Sequence, residues 1–450
     1  MIQPERVRQL NSRAVANGVY VLYWMQASQR AGYNHALEHA IDLANERRLP
    51  LVVVFSLIDS YPEANLRHYT FMLEGLRETF SALRERGIAA GALRGDPEHT
   101  VPRLARRATL VVTDRGYTRH QRAWRERVAE RVECPVIQVE TDAIVPVEVA
   151  SPKEEYAAAT LRPKIGRVLL RYMVPLSQRD VLVKESHPEV DSIDLGNIED
   201  VLATLPLDRS VHPVPGMTGG EVEARRRLGA FLQTRLQNYN SLRNNPSLDV
   251  SSGLSPYLHF GQMSPLEIAL EANERGGPDV DAFLEELIVR RELALNFTFY
   301  NQYYDTPACL PGWATKTLEA HALDPRPFLY DCSTLEAAQT HDAYWNAAQR
   351  EMLTTGKMHN YMRMYWGKKI LEWSGGPETA YGTALYLNNR WQFDGRDPNS
   401  YAGVAWCFGK HDRPWAERPI FGKVRYMNSA GLDRKFDMKP YVNRYGEHLT

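Results

Sequence analysis

Between residues 18 and 147 the chain alternates strand-like and helix-like segments, and this alternation restricts the possible folds more than any other feature of the sequence. Nearly continuous β-branched and aromatic runs predict buried strands at 18–25, 49–57, 108–114 and 135–141. Helical periodicity separates them at 33–48, 66–86 and 119–132. Such alternation predicts a parallel, Rossmann-like sheet with helices on both faces. The sequence contains neither GxGxxG nor GxxxxGK[ST], so a dinucleotide fingerprint or a P-loop is not supported.

The second half of the chain has a different pattern. From residue 220 onward helical periods dominate, at 221–238, 266–275, 280–300, 334–355 and 357–373. Residues 149–217 are rich in Pro, Asp and Ser and weakly periodic, which is typical of a long ordered connection with short helices around 161–172. We therefore predict an α/β domain at 1–148, an interdomain linker at 149–217 and an all-helical domain at 218–450.

Composition narrows the function classes. A formal net charge of −1 means that any nucleic-acid contact must come from a local basic patch. The four cysteines are far apart and form no CxxC pair, which argues against a metal site or a disulfide framework. We find neither a run of eighteen apolar residues nor a signal-peptide pattern, so we expect a cytoplasmic protein with no membrane partner.

The segment 356–373, GKMHNYMRMYWGKKILEW, combines groups that few reactions need together. On a helix, Asn360, Arg363 and Gly367 share one side. Met358, Met362, Trp366 and Trp373 lie on or near another side. One side is suited to a polar ligand and the other to electron transfer between indoles. A core helix whose aromatic residues only pack together is the alternative.

Two further segments suggest phosphate binding. Backbone N–H groups and hydroxyls at a helix start favour an anion, which suits a pyrophosphate at Ser251, Ser252, Gly253, Leu254 and Ser255. An N-capped turn is the alternative. In 283–297, Glu286 and Arg290 have the i, i+4 spacing of an exposed ion pair, and Arg291 has the geometry to clamp a phosphate. If this helix lines a cleft, Glu286 becomes available to a substrate.

The segment 387–415 is predicted to be irregular because glycines and a proline interrupt its periodicity. Asn388, Asp394 and Asp397 there could meet the polar edge of a heteroaromatic ring, and Trp406 could stack on a base. A basic run follows and favours contact with a phosphate backbone over a merely solvated surface. Its members are Lys410, Arg413, Arg418, Lys423, Arg425, Arg434 and Lys435.

These motifs together resemble the photolyase/cryptochrome family, and within it the class II cyclobutane pyrimidine dimer photolyases. The matching stretches are LSPYLHFGQ (254–262), THDAYWNA (340–347), GKMH (356–359), MRMYWGKKILEW (362–373), DGRDPN (394–399) and GKVRYMN (422–428). The resemblance covers nearly the whole chain. It implies an α/β antenna domain followed by a helical domain that binds FAD.

The resemblance also implies residue roles. FAD contacts are expected at Tyr239, Ser251, Ser252, Gly253, Leu254, Ser255, Arg291, Asn360, Arg363, Asn388, Asp394 and Asp397. Glu286 would hydrogen-bond a flipped-out dimer, Met364 would lie against it, and Trp406 would stack on it. Trp345 and Trp366 would reduce the flavin, with Trp373 as a further member of undetermined order. Expected DNA contacts are Arg290, Lys410, Arg413, Lys423 and Arg425.

The implied activity is light-driven repair of pyrimidine dimers in UV-damaged DNA by a monomer, nucleoid-associated when bound. A cryptochrome-like photoreceptor and a (6-4) photolyase are the alternatives. The antenna chromophore stays open, since a deazaflavin, a folate or none is compatible with the resemblance. Two residues depart from the family pattern: Arg290 replaces a tryptophan found in some members, and Asn389 replaces a frequent aspartate.

Overall fold

The computed structural model describes residues 2–59, 61–184, 190 and 192–446. The chain forms two compact units. The first comprises Met1–Pro152, Pro163–Ala230 and Gly253–Gly276, and the second comprises Lys153–Arg162, Phe231–Ser252 and Gly277–Thr450. Residues 185–189 and 191 of the predicted linker lie outside the described residues. The domain boundaries proposed above stay predictions.

The first unit is built on a sheet that has six strands within the described residues. They are β1 (Val7–Gln9), β2 (Tyr20–Met25), β3 (Leu51–Leu57), β4 (Ala89–Arg94), β5 (Ala108–Asp114) and β6 (Val136–Val139), in the order β1-β6-β5-β2-β3-β4. The β1–β6 pair is antiparallel and the other pairs are parallel. Every residue of β2, β3 and β5 is buried, as their continuous apolar runs predict.

Both edges of this sheet are short or covered. β1 is a polar strand of three residues, so its sequence carries little strand signal. At the other edge, the backbone N–H of Ile193 donates to the carbonyl of Ala92 in β4 at 2.8 Å. The Ser192 hydroxyl accepts from the N–H of Ala92 at 3.0 Å. The sequence of β4, AAGALR, is poor in strand formers, and the strand was therefore missed.

Helices cover the sheet and follow it in sequence. The helices between its strands are His35–Arg47, Leu66–Glu85, Pro97–Ala105 and Arg119–Arg131. Val147–Ala150, Ala158–Tyr172, Ile198–Thr204, Glu221–Ala230, Ser255–His259 and Pro265–Asn273 come later in the chain, and Pro4–Arg6 is a short 3₁₀ turn. Among the four helices between strands, His35–Arg47, Leu66–Glu85 and Arg119–Arg131 agree with the predicted helical segments. Pro97–Ala105, with a proline inside it, was missed.

The second unit is helical in its described residues. Its elements are Phe231–Arg235, Tyr239–Leu242, Pro278–Leu284, Glu285–Arg290, Arg291–Tyr300, Pro307–Cys309, Gly312–Ala320, Cys332–Glu336, Ala343–Thr355, Asn360–Trp373, Pro377–Trp391, Pro398–Cys407, Ser429–Asp433 and Lys439–Tyr445. Phe231–Arg235 and Glu285–Arg290 are π-helical and interrupt the helices predicted at 221–238 and 280–300. The continuous helix predicted at 334–355 is wrong, because Ala338 adopts φ +56° and Asp342 caps a new helix.

The prediction that 387–415 is irregular is also wrong. The helix Pro377–Trp391 extends into this segment, and Pro398–Cys407 is a second helix. Pro398 occupies the first turn, where its missing N–H costs nothing, and the Asp397 side chain caps it by accepting from Asn399 N at 2.8 Å. Across the part of the chain that the structure describes, we find no helix with the length and apolarity needed to cross a membrane.

Candidate functional site

A hydrogen-bonded network in the second unit joins several of the predicted ligand contacts. The Arg363 guanidinium lies 3.3 Å from Asp394 and donates to the side-chain oxygen of Gln392. Gln392 in turn donates to Asn388 Oδ1 at 2.8 Å, and Asn388 donates to the Ser400 hydroxyl. The structure therefore brings Arg363, Asn388 and Asp394 together through Gln392, a residue that sequence reasoning did not single out.

The turn between the helices Pro377–Trp391 and Pro398–Cys407 is closely packed. A Cβ at Gly395 would lie 2.8 Å from the Cα of Asn389, so the turn requires glycine there. Arg396 follows in the left-handed region at φ +66°, and its backbone N–H donates to Asn389 Oδ1 at 2.9 Å. Asn389, the departure from the family pattern, thus fixes the turn that carries Asp394.

The segment just before the Asn360–Trp373 helix contacts Ser251, the first residue of the predicted anion cradle. Lys357 Nζ donates to the Ser251 hydroxyl at 2.8 Å. Burial lowers the pKa of Lys357, while Glu351, Asp249 and Asp394 act in the opposite direction. Asn360 is the first residue of the helix and is exposed, and His359 caps it by accepting from Tyr361 N at 3.2 Å. Lys357 is a cation at this position that sequence reasoning missed, although it stands within the GKMH motif.

The remaining predicted ligand contacts are distributed as follows. Ser251 and Ser252 belong to the second unit, whereas Gly253, Leu254 and Ser255 belong to the first. Gly253 has φ +71°, and Ser255 begins a five-residue helix. Arg291 is buried at the start of Arg291–Tyr300, and Asp397 also acts as the helix cap described above.

Glu286 lies in a second polar cluster, on the π-helical segment Glu285–Arg290. Its carboxylate is paired with Arg243, which sequence reasoning missed. Arg243 also lies over the ring of Tyr239, 5.8 Å from its centroid. Burial, followed by the nearby carboxylate of Glu286, raises the pKa of Tyr239 to about 12. Glu286 and Tyr239, predicted for different ligands, are thus neighbours of the same guanidinium.

The predicted ion pair between Glu286 and Arg290 is wrong. Arg290 is exposed and lies 3.4 Å from Glu285, which also pairs with Arg162 at 2.7 Å. The reason is the π-helical turn, in which hydrogen bonds run from i to i+5 and the i, i+4 positions no longer lie above each other. Glu286 is therefore available to Arg243.

Met364 and Trp406 lie on two helices in close contact. A Cβ on Gly367 would meet the Sγ of Cys407 at 2.6 Å, so glycine sets the distance between Asn360–Trp373 and Pro398–Cys407. Met364 is 8% exposed, one turn before Gly367. Trp406, next to Cys407, is partly buried against the same core. Two of the three side chains predicted to contact a dimer are therefore carried by one tightly packed helix pair.

The three predicted relay tryptophans are in ring contact and at most 1% exposed. Trp345 and Trp366 are stacked with centroids 6.4 Å apart and planes 7° apart. Trp345 and Trp373 meet edge to face at 5.7 Å. Each of the first two indole N–H groups has an acceptor, since Trp345 donates to the carbonyl of Trp366 and Trp366 donates to Gln349. The spatial order is therefore Trp366, Trp345, Trp373.

The basic run is divided between buried and exposed positions. The predicted DNA contact at Lys410 is wrong, because this residue is buried. It is 8% exposed, pairs with Glu154 and donates to the carbonyl of Cys309 at 2.8 Å. Its charge is used within the fold and not at a surface. Arg413 and Lys423 are exposed. The side chain of Trp415 is 41% exposed, and the guanidinium groups of Arg413 and Arg425 lie 5.5 and 5.0 Å from the centroid of its ring.

Comparison with known proteins identifies the family. The DNA photolyase family model matches residues 21–181. A deoxyribodipyrimidine photo-lyase of Methanothermobacter thermautotrophicus is 52% identical over 448 residues, which cover 99% of this chain and 98% of the relative. One from Arabidopsis thaliana is 42% identical and covers 94% and 88%.

The fold agrees with solved structures. An archaeal photolyase from Sulfolobus tokodaii, solved with two FAD molecules, has a TM-score of 0.72 at 16% identity and covers 95% of this chain and 90% of its own. The predicted fold class, an α/β sheet domain followed by a helical domain, is thereby confirmed. Given the identity of 52% over nearly the full length of both chains, the protein belongs to the DNA photolyase family and is an enzyme, a carbon–carbon lyase of the deoxyribodipyrimidine photo-lyase group.

Proposed function

We propose that the protein is a class II photolyase that uses FAD and light to repair cyclobutane pyrimidine dimers in DNA. The observation that carries the proposal is the arrangement of Trp366, Trp345 and Trp373, three buried indoles in continuous ring contact, on and beside the helix that bears Arg363. Such an array conducts electrons only if a redox group lies at one end. The polar residues of the same helix are the natural place for that group.

The residues of the second unit fit a flavin nucleotide. Among the described residues, the Nε of Arg363 is a buried donor that has no hydrogen-bond partner. A buried unpaired donor costs free energy of about 1–3 kcal/mol, so an acceptor on a ligand would relieve it. Lys357 and Ser251 supply a cation and a hydroxyl suited to phosphate, and burial of Lys357 makes a nearby anion more favourable.

In the proposed site, Arg363, Asp394 and Asn388 hold the ring system, and Tyr239, Ser251, Ser252, Arg291, Asn360 and Asp397 complete the contacts. Gly253, Leu254 and Ser255 stay predicted phosphate contacts. Reduced FAD, when bound, supplies one electron on absorption of blue light and takes it back after the dimer has split. The contribution of the chain is to bind the flavin, orient the dimer and exclude water.

The dimer would be held by Glu286, Met364 and Trp406. Arg243 fixes the Glu286 carboxyl group, so that it can meet the polar edge of the extracted bases in a defined orientation. Trp406 provides an indole face for stacking, and Met364 packs against the dimer. Arg290, where a second tryptophan stands in some family members, offers a guanidinium that can also stack on a flat ring. Extraction costs least at a poorly stacked, damaged step, which selects for lesions.

DNA phosphates would be contacted by Arg413, Lys423 and Arg425, since these positions are exposed or partly exposed around Trp415. Lys410 is excluded from this set by its burial. The further proposal is that the protein is a monomer and acts on DNA in the cytoplasm. Its α/β domain holds a deazaflavin, a folate or no antenna. The absorption spectrum of the purified protein tests the antenna.

A repair assay tests the proposal. The reduced, FAD-loaded protein is mixed with an oligonucleotide that contains one thymine dimer, and the loss of the dimer is followed under blue light and in darkness. We expect repair in light only. A protein that retains FAD but leaves the dimer intact would indicate the photoreceptor alternative, and repair of a (6-4) photoproduct in its place would indicate the other alternative. A protein that retains no flavin would refute the site.

A further inference from the structure

Trp415 and Lys423 of the proposed DNA surface lie on a hairpin, residues 415–423, that is held against the helix Gly312–Ala320 and the turn that follows it. Arg413 and Arg425 flank this hairpin in sequence. Within the hairpin, Trp415 N donates to the carbonyl of Lys423 at 2.8 Å, and Arg418 and Gly422 exchange backbone hydrogen bonds at 2.9 and 2.8 Å. The tip residues Ile420, Phe421 and Gly422 are buried, whereas Trp415 and Lys423 are exposed. The hairpin is therefore fixed at its tip and presents its base to solvent.

Three side chains fix the tip. Asp324 Oδ2 accepts from Ile420 N at 2.8 Å, and Thr317 Oγ1 accepts from Lys423 N at 3.0 Å. A Cβ on Gly422 would meet Thr317 Oγ1 at 2.1 Å, so the hairpin lies directly on the helix. The third is His321, whose Nδ1 lies 2.6 Å from Asp324 and whose Nε2 lies 3.0 Å from Glu417 of the hairpin.

Both ring nitrogens of His321 therefore face a carboxylate oxygen. A neutral imidazole has one N–H and can donate to only one of them, whereas the protonated ring donates to both. We propose that His321 is a positioning residue for DNA binding: in its protonated form it clasps the hairpin through Glu417 and holds Trp415 and Lys423 in place, and on losing its proton it releases Glu417. This inference rests on the proposed DNA-repair function.

The electrostatic surroundings determine the pH range. Hydrogen bonds to Glu417 and then Asp324 raise the pKa of His321 above 6.5. The pKa of Glu417 is lowered chiefly by its hydrogen bond to His321, and that of Asp324 by Ile420 N and then His321. Two other charges act on these carboxylates, Lys423 on Glu417 and Arg326 on Asp324. Arg418 lines a surface depression together with His321, Asp324 and Glu417. Because the pKa of His321 is raised in the folded protein, the clasp is complete below about pH 6.5 and is lost as the pH rises through the raised value.

The test compares wild type with His321→Gln and Glu417→Gln in the FAD-loaded, full-length protein. The affinity for a dimer-containing duplex is measured by fluorescence anisotropy between pH 6 and 8.5. We expect the wild-type affinity to fall by roughly three- to fivefold over this range, the size of one or two exposed ion pairs. Both variants should bind like wild type at high pH and should lack the gain at low pH. His99→Gln, which alters a histidine of the first unit whose side chain is 68% exposed, serves as the control and should keep the wild-type profile.

Hydrogen exchange gives a second readout that does not depend on DNA. The protection factors of the Ile420 and Lys423 amides should be lower in His321→Gln than in wild type at pH 6 and equal at pH 8.5. Unchanged protection, or a His321→Gln binding profile that matches wild type, would overturn the clasp. If the wild-type protein shows no preference for dimer-containing DNA at either pH, the proposed function fails, and the exchange data still decide whether His321 holds the hairpin.

Discussion

Glu286 shows how far a single residue can be understood from sequence. Its candidate role followed from the family motif, but its partner did not, because i, i+4 spacing predicts a partner only on a regular α-helix. Because of the π-helical turn at Glu285–Arg290, Glu286 pairs with Arg243, which lies forty-three positions earlier in the chain. Such a long-range pair leaves no local pattern. Lys357, by contrast, stood within the GKMH motif, and Gln392 stood two positions before DGRDPN. Both could have been found by asking which polar neighbours the motif residues require.

Replacement of Glu286 by Gln should lower the repair yield per absorbed photon by about tenfold, because a hydrogen bond to a charged group contributes about 1.5–3 kcal/mol. Flavin retention should be largely kept, since Arg363, Asn388 and Asp394, which hold the ring system in the proposed site, lie on other elements. Asp281→Asn, which removes an exposed carboxylate from the preceding helix Pro278–Leu284, is the matched control and should keep the wild-type yield. Equal yields in all three proteins would leave Glu286 with a purely structural role.

Replacement of Trp406 by Ala should weaken binding of dimer-containing DNA by about tenfold, since stacking contributes about 1–3 kcal/mol for each base. Binding of an undamaged duplex of the same sequence should change little, because no base is extracted there. Titrations of the two duplexes at one salt concentration measure the difference. Equal losses for both would contradict the stacking role.

At the scale of elements, the strands β2, β3, β5 and β6 and three of the helices between the strands were predicted within about two residues. The edge strands β1 and β4 and the helices Pro97–Ala105 and Pro377–Trp391 were not predicted, and neither were the breaks between helices. Buried strands such as β3 and β5 carry their own signal, because burial on both faces requires a continuous apolar run. The helix break at Ala338 has no local sequence signal, since alanine favours helix and its φ of +56° is imposed by the surrounding structure. Pro398 was interpreted as a helix breaker although it starts a helix, and only the cap at Asp397 distinguishes the two cases.

The order of the tryptophans leads to a test at this scale. Because Trp345 contacts both Trp366 and Trp373, Trp345→Phe should interrupt the array at its centre, since a phenyl ring gives up an electron far less readily than an indole. Light-driven reduction of the oxidised flavin, followed by absorbance, should slow by at least about tenfold. Repair by chemically reduced protein should be retained.

The control for this experiment is Trp391→Phe, which alters an indole outside the tryptophan array whose N–H donates to the Glu336 carboxylate. It should leave the reduction rate unchanged. If Trp345→Phe were reduced as fast as wild type, electrons would reach the flavin by another route.

The contact between the helices of Met364 and Trp406 can be tested by adding one methyl group. Gly367→Ala forces the helices apart at Cys407 and should lower the free energy of unfolding by about 1–3 kcal/mol, as overpacking does. Gly403→Ala, on Pro398–Cys407, has open space around its Cβ and should change stability by less than about 1 kcal/mol. Urea denaturation of the two variants provides the comparison, and similar losses in both would argue against close packing at Gly367.

For the whole molecule, a net charge of −1 places the attraction to DNA in a local surface. Lys423→Ala should therefore reduce the slope of log affinity against log salt by about 1, the effect of one phosphate contact. Lys410→Ala should leave the slope unchanged and should lower the free energy of unfolding by about 1–3 kcal/mol, because Glu154 and the carbonyl of Cys309 lose a donor. A changed slope in Lys410→Ala would show that its burial had been misjudged.

The edges of the sheet have a consequence for solubility. An open strand edge pairs readily with another chain and can start aggregation, and proteins avoid this with very short edge strands or with covering segments. Here β1 has three residues, and Ser192 and Ile193 occupy backbone groups of Ala92 in β4. The cover comes from a segment that lies some hundred positions after β4, so a truncated α/β fragment would leave this edge bare and would be prone to self-association.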